Sequence, residues 1–187
     1  MMGRKTLLWK RAAVALLTGA AILLPLGAKA DFLSGLSLRA GFFWPHKGAM
    51  RSILDTGAFG GGIEYKVPWI PTIANGQYWS TTISADFHYS ERGGSVFRYI
   101  PVSINQVYTF EERNNQTPYL GFCITAATFG TSGTTPRQPT VTRVGGGIVA
   151  GLNFGGDWFI EGRYEWFDKH RALETPEGFR GYFGYRF

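Results

Sequence analysis

Cysteine is almost missing from this chain of 187 residues: Cys123 stands alone, so no disulfide can form within it. An exported domain of this size must then be stabilised in another way. Histidine is nearly as scarce. His46, His88 and His170 lie far apart in sequence and, with one cysteine, offer no metal-ligand spacing. Neither a metal nor a cofactor is expected. Beyond residue 30 no apolar run is long enough for a membrane-spanning helix, and no stretch keeps helical periodicity over several turns. A surplus of positive charge is also missing once the first thirty residues are set aside. The chain carries 19 basic and 13 acidic residues, but residues 1–30 hold five of the basic ones and none of the acidic ones. The rest is close to neutral and has no basic arm, which excludes nucleic acid as a partner.

Those first thirty residues have their own pattern. Arg4, Lys5, Lys10 and Arg11 precede an apolar run from Val14 to Leu26, and Ala28-Lys29-Ala30 is a small-x-small cleavage site. This predicts a signal peptide over 1–30, cleaved before Asp31, with residues 31–187 forming one domain. A retained anchor fits less well, because the run is short and Pro25 interrupts it.

What the remainder has in quantity is glycine and aromatic residues, set in alternation. At the carboxyl end Phe179, Gly181, Phe183, Tyr185 and Phe187 fall on one side, and Arg180, Tyr182, Gly184 and Arg186 on the other. Successive side chains of a strand point to opposite faces, so this is a ribbon with an aromatic face and a basic-polar face. The same alternation recurs upstream over Leu36–Trp44, Ala58–Val67, Tyr78–Ser90, Val96–Phe110, Pro118–Phe129, Arg143–Phe154 and Trp158–Phe167. Turn signals separate the segments: Pro68 and Pro71 with Asn75-Gly76, Gly93-Gly94, the Asn-rich stretch Glu111–Thr117, and Gly155-Gly156-Asp157. The fourth segment is irregular, since Arg98 and Gln106 share a face with Ile100, Val102 and Ile104. Either the phase slips at a bulge or both residues sit at the rims.

Eight such strands of about ten residues predict an all-β, eight-stranded, antiparallel up-and-down transmembrane barrel. An even count brings both ends to one side, expected to be the periplasm. Aromatics then form two girdles: Tyr65, Trp69, Trp79, Trp158, Tyr185 and Phe187 at the periplasmic level, and Trp44, Tyr89, Trp166 and Phe179 at the outer level. The loops His46–Gly57, Gly130–Thr142 and Asp168–Glu177 are placed outside. A soluble lipocalin-type barrel would instead put the apolar residues inside.

The inward faces collect charge. Arg39, Lys66, Arg163, Arg180 and Arg186 are positive; Glu64, Asp86, Glu161 and Glu165 are negative. An eight-stranded barrel is filled by its own side chains, and lone ions there would cost several kcal/mol each. The expected interior is therefore an ion-paired, largely closed lumen; a narrow pore is the alternative. With the last loop centred near Leu173, Glu165 lies opposite Arg180 and within salt-bridge reach.

The leader, the eight alternating strands and the terminal Phe183-Gly184-Tyr185-Arg186-Phe187 resemble the small outer-membrane barrels of diderm bacteria, the OmpA-type transmembrane domain and its relatives. The resemblance covers essentially all of residues 31–187. It implies the outer membrane as location, lipid and lipopolysaccharide as surroundings, and a structural, porin-like or surface-interaction role with an unnamed ligand. It also implies that Phe183, Tyr185 and Phe187 form the signal read by the barrel-assembly machinery. Gly181, rather than position 182, holds the glycine common in that signal. No peptidoglycan-binding domain is expected to follow.

One constellation suggests chemistry. Asp86, His88 and Ser90 share the inner face of the third strand, and a carboxylate, an imidazole and a hydroxyl are the parts of acyl transfer. His88-x-Ser90 resembles the His-x-Ser of the lipid A deacylases, which makes a lipid A acyl hydrolase or transferase the enzymatic alternative. Glu91 stands where that family has Asn, and five strands follow here where the family's motif lies near the carboxyl end. Residues two apart on a strand are also some 7 Å apart, too far for direct proton transfer. The non-catalytic alternative is a hydrated histidine at the rim.

Overall fold

Alternation becomes a closed wall. The computed structural model describes residues 34–46, 54, 57–74, 78–133, 139–168 and 175–187. The predicted signal peptide, the Asn75-Gly76 turn, the position of Leu173 and parts of all three predicted outer loops lie outside the described residues. Eight strands follow in order: β1 (Leu36–Pro45), β2 (Ala58–Lys66), β3 (Trp79–Arg92), β4 (Ser95–Thr109), β5 (Gln116–Ser132), β6 (Val141–Phe154), β7 (Trp158–Phe167) and β8 (Gly178–Arg186). Each pairs antiparallel with its sequence neighbours, and β8 returns to pair with β1, so the barrel has no open edge. The closing ladder is continuous from Ser37↔Arg186 to Pro45↔Gly178.

The faces sort by polarity. Phe42, Phe59, Ile63, Phe87, Ile104, Ile124, Ile148, Ile160 and Phe183 are exposed on the outer wall, while Arg39, Glu64, Asp86, Glu161, Arg163 and Arg180 are buried inside. This is inside-out relative to a soluble barrel and suits a wall solvated by lipid. At the end where β1 begins and β8 finishes, the terminal end, aromatic pairs line the rim: Tyr65–Trp69, Trp79–Tyr108, Trp158–Tyr185 and Tyr185–Phe187. Toward the opposite loop end lie Phe42–Phe179 and Tyr164–Trp166.

Four strands are longer than the ten or so residues expected: β3 has 14 residues, β4 15, β5 17 and β6 14. About 9–11 tilted residues suffice to cross a bilayer, and the extra pairs, such as Glu91↔Val96 and Val96↔Ser132, lie at the loop end beyond that length. Gly93 and Gly94, with φ of 55° and 78°, close the β3–β4 hairpin; at the other end Asn114 and Asn115, at 53° and 60°, close β4–β5. Both pairs supply the left-handed conformation that a two-residue hairpin turn requires.

The irregular fourth strand has no phase slip. Its register with β3 keeps one phase from Trp79↔Tyr108 to Arg92↔Ser95, on both sides of a gap at Asp86 and Phe87. Arg98 sits exposed near the loop end. Gln106 has a different reason to face outward. The chain after β2 folds back over the wall, and Gln106 Nε2 donates to the Pro71 carbonyl (3.3 Å) and to Thr81 Oγ1 (2.8 Å), while Ile73 N–H donates to Gln106 Oε1 (3.3 Å). Val67, read from sequence as the outward end of the second strand, is instead buried beneath this segment, with its N–H on the Thr81 carbonyl (2.9 Å). Two polar residues of the outer face, Thr81 and Gln106, are thus consumed by backbone that would otherwise lack partners.

Candidate functional site

The lumen is where the charged side chains meet. Arg39 of β1 donates through Nε to Asp86 Oδ1 (2.7 Å) and through Nη2 to Asp86 Oδ2 (2.8 Å). Its Nη1 reaches Glu64 (3.1 Å) and Glu161 (3.0 Å). Arg163 of β7 binds Glu161 through Nε (2.6 Å) and Glu64 through Nη2 (2.8 Å), and its Nη1 reaches Ser84 and Asn105. Arg180 of β8 binds Asp86 (2.9 Å) and Glu165. Three guanidiniums therefore hold four carboxylates in one connected network, and every member is buried.

Neutral donors finish the carboxylates. Tyr119 donates to Glu161 (3.1 Å), Tyr99 to Glu165 (3.0 Å), and Thr125 to Glu165 (2.7 Å). The Tyr182 ring lies under the Arg39 guanidinium, 4.4 Å from its centroid. Buried charges are tolerable when paired and hydrogen-bonded in this way, and their mutual geometry ties strands that are not neighbours. Glycines supply the room: a Cβ on Gly41 would come 2.6 Å from the Tyr182 ring, and one on Gly62 2.2 Å from Asp86 Oδ1.

Above the network, toward the loop end, the filling changes to aromatic. Phe43, Phe97, Tyr99, Phe129 and Phe167 pack with Leu54 and Ala58 into one buried cluster. Phe43 and Tyr99 rings are 4.8 Å apart. Below it, Val107, Tyr119, Cys123 and Val149 form a second cluster. Ions in the middle and apolar side chains on either side fill much of the interior with buried side chains.

Seven of the nine inward charges are brought together: Arg39, Glu64, Asp86, Glu161, Arg163, Glu165 and Arg180. Asp86, also considered for catalysis, is thus a member of the network. Lys66 and Arg186 correct the expectation. Lys66 is exposed at the end of its strand and forms no ion pair among the described residues. Arg186 lies over the rings of Phe159 (5.0 Å) and Tyr119 (5.4 Å) instead of beside a carboxylate. The last hairpin is also registered two residues away from expectation: Arg180 stands opposite Arg163, and Glu165 opposite Gly178. Arg180 and Glu165 still bond, since a diagonal neighbour is within reach of a long side chain. Tyr99, Tyr119, Tyr182, Asn105 and the aromatic cluster were not singled out from sequence. Their one signal was large side chains recurring at inward-facing positions.

The acyl-transfer constellation is not assembled. Asp86 is held by two arginines. His88 is fully buried, with Nε2 at 3.1 Å from the Tyr182 hydroxyl, which removes the hydrated-rim reading as well. Ser90 is half-buried, and among the described residues no hydrogen bond joins it to His88.

By sequence, no known family and no curated protein matches the chain. Solved structures do. The Neisserial surface protein A is similar with a TM-score of 0.54 at 12% identity, over 81% of this chain and 94% of that one. The outer membrane enzyme PagL is similar with a TM-score of 0.54 at 16% identity, over 81% of this chain and 99% of that one. At such identities the likeness is one of fold, not of activity. The closed, eight-stranded, all-antiparallel wall is the fold of the small outer-membrane β-barrels, and this chain has it.

Proposed function

We propose that the protein resides in the outer membrane of a diderm bacterium, with both termini in the periplasm, and serves as a closed barrel of structural or surface-interaction type. The observation that carries this reading is the interior: Arg39, Arg163 and Arg180 neutralise buried carboxylates beneath an aromatic plug. A lumen filled in this way serves no solute passage, which leaves the wall and the loop end as the working surfaces. Lipid and lipopolysaccharide surround the wall, and the barrel-assembly machinery engages β8 through Phe183, Tyr185 and Phe187. The connection after Gly133 is one route to a surface partner.

Two measurements test this together. Purified protein in a planar bilayer should show no steady conductance. An epitope inserted between Gly133 and Pro139 should be labelled on intact cells. Stable conductance steps, or labelling only after permeabilisation, would overturn the reading.

A further inference from the structure

Among the described residues, a cleft lies on the outer wall near the terminal rim. It is about 540 Å³ in volume and is lined by Tyr78, Tyr108, Phe110, Glu111, Arg113, Gln116 and Pro118. That volume falls within the roughly 300–1,000 Å³ of small-molecule sites. Tyr108 is its back wall, with Phe110 edge-on at 5.0 Å and Tyr78 at 5.9 Å. The β4–β5 hairpin supplies its polar rim, where Glu111, Glu112 and Arg113 are all exposed.

Three features of the cleft run in order along the wall. Charges of both signs sit at the rim. Aromatic rings come next, at the level of the terminal girdle. Above them an exposed apolar track continues along the paired strands: Leu120 opposite Tyr108, Phe122 opposite Gln106, and Ile124 opposite Ile104. A guanidinium matches a phosphate, a carboxylate matches an ammonium, and aromatic faces attract cations. Apolar wall at bilayer depth matches acyl chains. The rim is not simply basic, because Glu111 and Glu112 immediately precede Arg113 and oppose a headgroup carrying net negative charge.

We infer that this cleft is a binding site for one zwitterionic phospholipid with an ammonium headgroup, such as phosphatidylethanolamine. Arg113 takes the phosphate, Glu111 takes the ammonium, and Tyr108 and Phe110 flank the glycerol region. The inference rests on the membrane placement proposed above.

Native mass spectrometry of the detergent-purified protein tests it, with phosphatidylethanolamine and phosphatidylglycerol offered at equal concentration. Retention of one phosphatidylethanolamine, at least fivefold above phosphatidylglycerol, is expected. Glu111→Gln combined with Arg113→Gln should abolish the preference, whereas Arg98→Gln at the far end should keep it. Glu111→Lys should reverse it. Folding of each variant is checked by its heat-dependent migration in cold detergent gels. Equal retention of the two lipids, or a preference indifferent to the rim substitutions, would overturn the site. Solubility of the protein without detergent would remove the membrane placement, and the lipid site with it.

Discussion

Arg39 and Asp86 meet in a two-pronged ion pair although their strands are not neighbours. Arg39 lies opposite Gly62 of β2, and Gly62 lies opposite Asp86 of β3, so the three form one row across the wall. Adjacent strands are about 4.8 Å apart, and the span is therefore roughly 10 Å. A long guanidinium crosses it at 2.7 and 2.8 Å because the residue between has no side chain.

Removing that guanidinium leaves Asp86, Glu64 and Glu161 short of a cation in a buried site. Arg39→Ala is expected to destabilise the barrel by about 3–5 kcal/mol, the range for breaking a buried ion pair from one side. Urea unfolding in detergent, followed by tryptophan emission, measures it. A loss near zero would mean that water replaces the arginine.

The glycine row gives a contrast between inside and outside. A Cβ on Gly62 would lie 2.2 Å from both the Ala85 carbonyl oxygen and Asp86 Oδ1, so Gly62→Ala must move backbone or break the pair. About 1–3 kcal/mol of destabilisation is expected. Gly181→Ala on the outer wall would meet side-chain atoms alone, Phe42 at 2.7 Å and Phe179 at 3.4 Å. Those rings can swing into lipid, so a change within about 0.5 kcal/mol is expected. Equal costs in the same unfolding assay would reject the spacing argument.

Thr81 and Gln106 hold the segment after β2 against the wall by hydrogen bonds to its backbone. Each such bond contributes about 0.5–1.5 kcal/mol. Thr81→Val combined with Gln106→Leu should let the segment lift while the barrel stays folded. Chymotrypsin cleavage after Trp69, within the segment, should then be several-fold faster, and an unchanged rate would show the segment to be held otherwise.

Phe187 closes the last ladder, with its N–H on the Leu36 carbonyl (2.9 Å) and its own carbonyl accepting from Gly35 (3.3 Å). Its deletion removes two hydrogen bonds and one aromatic contact, a loss of about 1–3 kcal/mol. If the residue also serves as an assembly signal, the folded yield in cells should fall by more than this loss of stability explains. Parallel falls in yield and in unfolding stability would reduce it to an anchor.

Ser90→Ala should leave lipid A acylation unchanged, because Asp86 and His88 are committed to Arg39, Arg180 and Tyr182. Mass spectra of lipid A from expressing cells give the answer. A lost or gained acyl chain that depends on Ser90 would restore the enzymatic reading.

The sequence by itself determined the strands, their order and which residues face out. Period-two alternation is a local property, and a bilayer rewards it without reference to distant contacts. Local pattern also placed Arg39, Glu64, Glu161, Arg163, Glu165 and Arg180 inside. Tertiary structure alone decided who meets whom. A shift of two residues in the last hairpin keeps every side chain on its face, so no alternation signal opposes it, and the observed register sets Arg163 opposite Arg180. Asp86 is drawn into the network by a strand one removed from its neighbour, across a glycine whose role is invisible until the row is aligned. Lys66 and Arg186 share the inward phase of their strands, yet they lie at strand ends, where solvent and aromatic faces compete with carboxylates. Gln106 looked like an error of phase; it is a polar residue kept on the lipid side by a segment of backbone that only the fold brings over it.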